Sequence, residues 1–320
     1  MTKEEIFSFF HDLAIVPVVA IEDADKAVPL AKAMIDGGIP CAEVTFRTAA
    51  AEQAIKNMVA AFPEMVVGAG TVINPELAEK AVNAGAKFIV SAGLNPDTVK
   101  WCNDHNVPVT PGVCTPSEIE QGLSMGLNVL KFFPAEASGG VNMLKNFGGP
   151  FKQVKFMTTG GISPANLADY AKASNVLAIG GSWMVKPDLI NNCQWDEITR
   201  LCAEAVEKVQ GLEIAHVGIY ADSDDENDRT AAEFAKFGMT INKGKSSTFM
   251  DKTIELVPHQ GRGAKGHIAY KCYDVDRTIA YLKKKGFTVD ESSVQKDAKG
   301  TKIVYFNEHI NGFAIHLTRG

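Results

Sequence analysis

Six cysteines are scattered over 320 residues, and no two of them stand in a C-x-x-C pair. Their positions (Cys41, Cys102, Cys114, Cys193, Cys202 and Cys272) argue against a disulfide framework or a cysteine zinc site and fit a reducing, cytoplasmic setting. No run of about 18 apolar residues occurs, so no membrane span is expected. The acidic, amphipathic start MTKEEIFSFFHDL does not read as a signal peptide. No basic patch is interleaved with aromatics, which speaks against a nucleic-acid partner. No G-x-G-x-x-G turn follows the first apolar run, which weighs against an open doubly wound sheet.

What is present is unevenly distributed. The net charge is −6, with 16 Lys+Arg against 23 Asp+Glu in residues 1–211, but 16 against 15 in residues 212–320. Two of the seven histidines precede residue 212 and five follow it. The two parts read as different domains, 1–211 and 212–320, and the length suits one large and one small domain.

In the first part, short β-rich apolar runs alternate with amphipathic stretches. The runs are Ile15–Ala20, Cys41–Phe46, Met65–Gly68, Phe88–Ser91, Val107–Thr110, Val129–Phe133, Lys155–Thr159 and Val176–Ile179. The helical stretches between them include Ala24–Asp36, Ala49–Ala61, Pro75–Ala84, Pro116–Met125 and Pro164–Ala173. Asn74-Pro75, Thr115-Pro116 and Ser163-Pro164 each pair an N-cap residue with proline at the first helical position. Eight strands with intervening helices over some 200 residues predict an α/β fold of the (β/α)8 TIM-barrel type. In the second part the predicted order is strand, helix, three strands, twice over. His216-Val-Gly-Ile opens one copy and His267-Ile-Ala-Tyr the other, an internal repeat of βαβββ form. Within it, Phe287–Asp290 is expected as a strand, and Lys283-Lys284-Lys285 as the cationic end of a helix.

Barrels place their chemistry at strand C-termini, and three motifs fall there. In AEVTFRT, alternation sets Glu43 and Thr45 opposite Val44 and Phe46, so Glu43 faces the interior if Val44 and Phe46 pack under helices. In VLKFFPAEASGG, Lys131 lies in an apolar strand, and removing an amine from water favours its neutral, nucleophilic form. A structural ion pair is the alternative for Glu43 and Lys131. TTGGIS and IGGSWM are read as glycine-rich turns beside helix starts after strands seven and eight, where backbone N–H groups can hold a phosphate. Arg47 is placed to grip a carboxylate, Thr71 to donate to the same group, and the glycines of GAGTVINP to let substrate approach the backbone.

The motifs EVTFRT, VGAGTV, KFFPAE, TGGIS and IGGSW occur in an order and spacing that resemble the 2-keto-3-deoxy-6-phosphogluconate / 4-hydroxy-2-oxoglutarate aldolase family over about residues 5–210. The resemblance implies a Schiff-base aldolase, an aldehyde-lyase that needs no cofactor and assembles as a homotrimer. Its substrate would be 2-keto-3-deoxy-6-phosphogluconate, cleaved to pyruvate and glyceraldehyde 3-phosphate, with 4-hydroxy-2-oxoglutarate as a second candidate. Lys131 would form the imine and Glu43 would carry protons. Arg47 and Thr71 would bind the pyruvate carboxylate, and Phe133 would pack beside the carbon chain. Thr159, Gly160, Gly161, Gly180, Gly181 and Ser182 complete the substrate set, the glycines and Ser182 at the distal phosphate. Ala20, Ala92 and Thr158 depart from the family pattern and leave the aldehyde end of specificity open. A phosphate-binding barrel isomerase or synthase, with Glu43 as base, is the rival reading.

In the second part His216 and His267 open the first strand of each repeat, and Glu255 and His316 hold matching places in each last strand. Nitrogen and carboxylate ligands at symmetric positions suit a divalent metal such as Zn, Mn, Ni or Fe. These residues resemble the vicinal-oxygen-chelate (glyoxalase/bleomycin-resistance) fold over about 213–319, with His316 where a glutamate is commoner. A non-catalytic ligand-binding or oligomerisation module is the alternative. His259 and His309 fall outside the symmetric set and are expected in loops.

Overall fold

The computed structural model describes residues 1–298 and 300–320. The chain divides into two compact units, Met1–Val209 and Gln210–Gly320.

The first unit contains β1 (Ile15–Val19), β2 (Cys41–Thr45), β3 (Val66–Gly70), β4 (Ile89–Val90), β5 (Val109–Thr110), β6 (Gly112–Val113), β7 (Val129–Phe132), β8 (Lys155–Thr159) and β9 (Val176–Gly181). They form one parallel sheet in the order β5-β4-β3-β2-β1-β9-β8-β7-β6. The fifth strand, expected over Val107–Thr110, is confined to β5, and pairing resumes in an unexpected β6 beyond Pro111, which has no N–H to give to a ladder. Its carbonyl still accepts from the Lys131 N–H at 2.9 Å. The two ends of the sheet are thus one stretch of chain, and the sheet returns on itself as a TIM-barrel-like ring. At the end where the strands begin, Phe88 packs edge-on against Phe10 of the N-terminal helix, with ring centroids 4.9 Å apart.

Local signals set the helices. Thr2 and Glu5 form a capping box on Lys3–Leu13, Thr115 and Glu118 another on Pro116–Ser124, and Asn74 caps Pro75–Asn83 through the Leu77 N–H. Helices that go unmarked between the expected elements include Pro96–Asp104, Gly140–Phe147 and Pro187–Asn191. The first carries the same Asn-Pro start, Asn95-Pro96, as the helix that begins at Asn74-Pro75. The expected helix from Pro164 begins instead at Leu167. The Asn166 side chain accepts from the Ser163 N–H at 2.8 Å and diverts the segment into a turn before the helix can start.

The second unit contains β10 (Glu213–Tyr220), β11 (Ile241–Lys243), β12 (Thr248–Met250), β13 (Ile254–Val257), β14 (His267–Cys272), β15 (Gln295–Asp297), β16 (Gly300–Ile310) and β17 (Phe313–Arg319). One mixed sheet runs β11-β12-β13-β10-β14-β17-β16-β15. Each half pairs its first strand in parallel with its last (β10 with β13, β14 with β17), and the halves join antiparallel through β10 and β14. Helices Asp224–Ala235 and Val275–Lys283 follow the first strand of each half. Phe287–Asp290 is not a strand: only Val289 bridges to Phe306, and the Asp290 side chain accepts from the Ser292 N–H, turning the chain before β15.

Candidate active site and histidine cluster

Strands β2 and β7 are not neighbours in the ring, so side chains that meet from both must cross its interior. Glu43 and Lys131 do so: Lys131 Nζ lies 3.3 Å from Glu43 Oε1, and their side chains are only 1% and 6% exposed. The amine also stands 5.1 Å from the centroid of the Phe133 ring. The pair is not a saturated structural bridge. Glu43 Oε2 is buried and has no protein partner among the described residues. Gly70 makes room for this carboxylate, since a Cβ there would collide with Oε1 of Glu43. That corrects the expectation for GAGTVINP: at position 70 the missing side chain accommodates the acid, not the substrate.

A cavity of about 220 Å³ opens above the pair. Its lining brings together every residue of the expected catalytic and substrate-binding set: Glu43, Arg47, Thr71, Lys131, Phe133, Thr159, Gly160, Gly161, Gly180, Gly181 and Ser182; of the departures Ala20, Ala92 and Thr158, only Ala92 reaches it. Val18, Thr45, Ala92 and Ile162 complete it. Thr45 shares the period-two face of Glu43, so alternation alone marks it. It accepts from Arg47 Nε at 3.1 Å and donates to the Val19 carbonyl at 2.8 Å, which sets the guanidinium at the rim. Thr71 holds a left-handed φ of 59°, a conformation that is costly for a β-branched residue.

The opposite wall is built to present N–H groups. Gly160 and Gly161 have φ of 106° and 79°. The carbonyls of Thr159, Gly160 and Gly161 are all tied down, by the Ala135 N–H at 2.8 Å, the Glu136 N–H at 3.0 Å and Asn166 Nδ2 at 3.3 Å. Among the described residues no backbone carbonyl outside the sheet ladders accepts from the N–H groups of Gly160 and Gly161. Such a turn is an anion nest. Two corrections follow. The next helices begin only at Leu167 and Pro187 and are five residues each, so the turn's own N–H groups carry the positive potential. Gly180 and Gly181 are the end of β9, not a turn.

In the second unit four side chains from four strands converge. His216 Nε2 and His267 Nε2 are 3.2 Å apart and lie 3.2 and 3.1 Å from the same oxygen, Glu255 Oε2. A nitrogen of His316 joins those of His216 and His267 within 4.8 Å. Its Nδ1 faces the Leu317 carbonyl at 3.4 Å, which leaves Nε2 with the lone pair. Burial and the neighbouring His267 push the His316 imidazole down to about 4. Burial disfavours charge on Glu255, but hydrogen bonds from His216, His267 and Ser247 outweigh it and hold the carboxyl well below the usual range. His267 is the first residue of β14, whereas His216 is the fourth of β10, not the opening residue expected. His309 belongs to β16 rather than a loop; neither it nor His259 joins the cluster.

Residues 6–201 match the family described as KDPG and KHG aldolase. The chain is 46% identical over 209 residues to the 2-dehydro-3-deoxy-phosphogluconate aldolase of Haemophilus influenzae, a match covering 65% of this chain and 99% of that protein. It is similar in structure to a KDPG aldolase from Legionella pneumophila solved with pyruvate captured as a covalent carbinolamine intermediate. There the TM-score is 0.61 and the identity 42%, over 62% of this chain and 97% of that one. It is likewise similar to the 2-keto-3-deoxy-6-phosphogluconate aldolase of Zymomonas mobilis ZM4 with 3-phosphoglycerate. That match has a TM-score of 0.59 and 39% identity, over 64% of this chain and 96% of the other.

Proposed function

Because the chain belongs to the KDPG and KHG aldolase family, we propose that its first unit is a Schiff-base aldolase that cleaves 2-keto-3-deoxy-6-phosphogluconate to pyruvate and glyceraldehyde 3-phosphate. The observation that carries this reading is the Lys131 amine 3.3 Å from a half-engaged carboxylate at the base of a cavity. Lys131 attacks the C2 carbonyl, and loss of water gives the iminium. Glu43 takes the proton of the C4 hydroxyl as the C3–C4 bond breaks, and the bond's electrons pass into the iminium as an enamine. The aldehyde leaves, C3 is protonated, and water releases pyruvate and the free amine. Arg47 and Thr71 hold the carboxylate, Phe133 lies along the carbon chain, and Thr159 with Gly160, Gly161, Gly180, Gly181 and Ser182 receives the phosphate end. 4-Hydroxy-2-oxoglutarate, which lacks a phosphate, is the second substrate. Borohydride reduction in the presence of pyruvate tests the reading: it should leave an adduct on the Lys131 peptide, and an unmodified peptide refutes it. By the same resemblance the protein is a homotrimer, which sedimentation would check. Its unpaired thiols suit the cytoplasm. Among the described residues no helix is long and apolar enough to cross a membrane.

The second unit is read as a vicinal-oxygen-chelate domain that holds a divalent metal at His216, Glu255, His267 and His316. The doubled βαβββ topology, the three convergent histidines and the Glu255 carboxylate beside two of them support it. The mutual separations of 3.1–3.2 Å among His216, His267 and Glu255 fall between the ligand spacings of about 3.0 Å for octahedral and about 3.3 Å for tetrahedral coordination. Zn, Mn, Ni or Fe each suits this chemistry. A bound ion would supply Lewis acidity to adjacent oxygens of a small ligand. Metal analysis of protein grown with each ion, compared with a His267→Ala variant, tests the site, and equal metal in both refutes it.

A further inference from the structure

The wall behind the anion nest contains a pair of residues that do not line the cavity themselves. Glu136 follows β7 and uses its two ends differently. Its backbone N–H holds the Gly160 carbonyl at 3.0 Å. Its carboxylate turns the other way and accepts from the hydroxyl of Tyr170, a residue of the helix Leu167–Ala171 with no exposed surface. That helix is tied in turn to the nest, through Asn166 Nδ2 on the Gly161 carbonyl. Glu136 also fits flush against the turn, because a Cβ on Gly161 would lie 2.7 Å from its Cβ. The loop after β7 and the segment after β8 are therefore clamped on both sides of Gly160–Gly161. Burial, and then the carboxylate, push the Tyr170 phenol upward, so it stays protonated and donating. Glu136 borders an open hollow of about 640 Å³ on its other side. Its side chain is not needed to fill a core. A carboxylate near a phosphate subsite is electrostatically unfavourable, and here its charge is directed away from the nest.

We propose that Glu136 and Tyr170 are positioning residues for the phosphate end of the substrate: their hydrogen bond fixes the Gly160–Gly161 turn in place at the cavity wall. The inference rests on the aldolase reading and adds a division of labour to it. The clamp serves the distal anion, while imine formation at Lys131 does not depend on it.

The test uses the full chain with Glu136→Ala, Tyr170→Phe and Glu136→Gln, each checked by circular dichroism. KM and kcat are measured with 2-keto-3-deoxy-6-phosphogluconate. The pyruvate concentration that half-saturates borohydride trapping of Lys131 gives a phosphate-free readout. Glu136→Ala and Tyr170→Phe should each raise KM about three- to tenfold, with kcat and the pyruvate half-saturation unchanged. Glu136→Gln should stay near wild type, since its amide oxygen still accepts from Tyr170. The inference is overturned if KM is unmoved, if KM and pyruvate trapping shift together, or if Glu136→Gln behaves like Glu136→Ala. If wild-type protein traps no pyruvate, the aldolase reading fails first and takes this inference with it, which is a different signature.

Discussion

Glu43 and Glu255 are both sheltered and both face nitrogen bases, yet their lone pairs are used in opposite ways. Glu43 engages Lys131 through one oxygen and keeps the other buried with no partner among the described residues. Glu255 is fully committed: Oε1 accepts from Ser247 at 2.6 Å, and Oε2 faces two imidazoles at once. A carboxylate that must take up and return a proton needs a vacant lone pair beside the reacting atoms. One that must hold a cation, or stand in a fixed donor set, gains from being oriented by several partners. The degree of commitment therefore separates a proton carrier from a ligand even where burial and neighbours look alike.

The most severe way to test that contrast is at the amine itself. Lys131→Met should abolish pyruvate trapping and lower kcat/KM about 10⁴-fold or more; cleavage at the normal rate would remove the basis of the assignment. Glu43→Gln keeps the shape but ends proton transfer. It should reduce kcat about 10²–10⁴-fold while Lys131 can still be trapped slowly with pyruvate, and an unchanged kcat would return the pair to a structural role. Glu255→Gln, the matching change in the second unit, should weaken metal binding by about 100-fold, read by competition with a chromogenic chelator. An unaltered affinity would show that the carboxylate is not a ligand.

The smallest effect is that of pH on metal-stripped protein. His316 binds a proton in the unfolded chain below its ordinary value of 6.5, but in the folded chain only below about 4. The unfolded state thus takes up more protons as pH falls between those values, and the second unit loses stability across that window. The depressed Glu255 carboxyl adds to the loss further down, because its stabilisation is complete above 4.5 and fades as the pH drops below it. Thermal melts with a chelator should show the second transition moving down by several degrees from pH 7 to 4.5, and a level profile would contradict the buried, neutral imidazole.

Much of the barrel is legible in the amino-acid order, because its signals are local. Apolar runs, Asn-Pro and Thr-Pro starts and paired glycines each act within a few residues. The reading fails where a side chain captures the backbone out of turn. Asn166 takes the Ser163 N–H and delays a helix by three residues, and Asp290 takes the Ser292 N–H and turns the chain where a strand is expected. The residues of the cavity are visible as motifs at strand ends, but their supports are not. Glu136 and Tyr170 are 34 residues apart, and nothing in either segment announces the other. In the second unit the four donors are recognisable by repeat symmetry, whereas the offset of His216 within β10 follows from the register with β14.

The meeting of Glu43 and Lys131 across the ring has a kinetic consequence. Eighty-eight residues separate them, and their strands approach one another only when the whole circle of strands has joined. No fragment or half-assembled chain can own this amine in its dry, acid-flanked setting. Capture of pyruvate during refolding from denaturant would therefore act as a chemical clock for the last docking event, lagging behind helix formation.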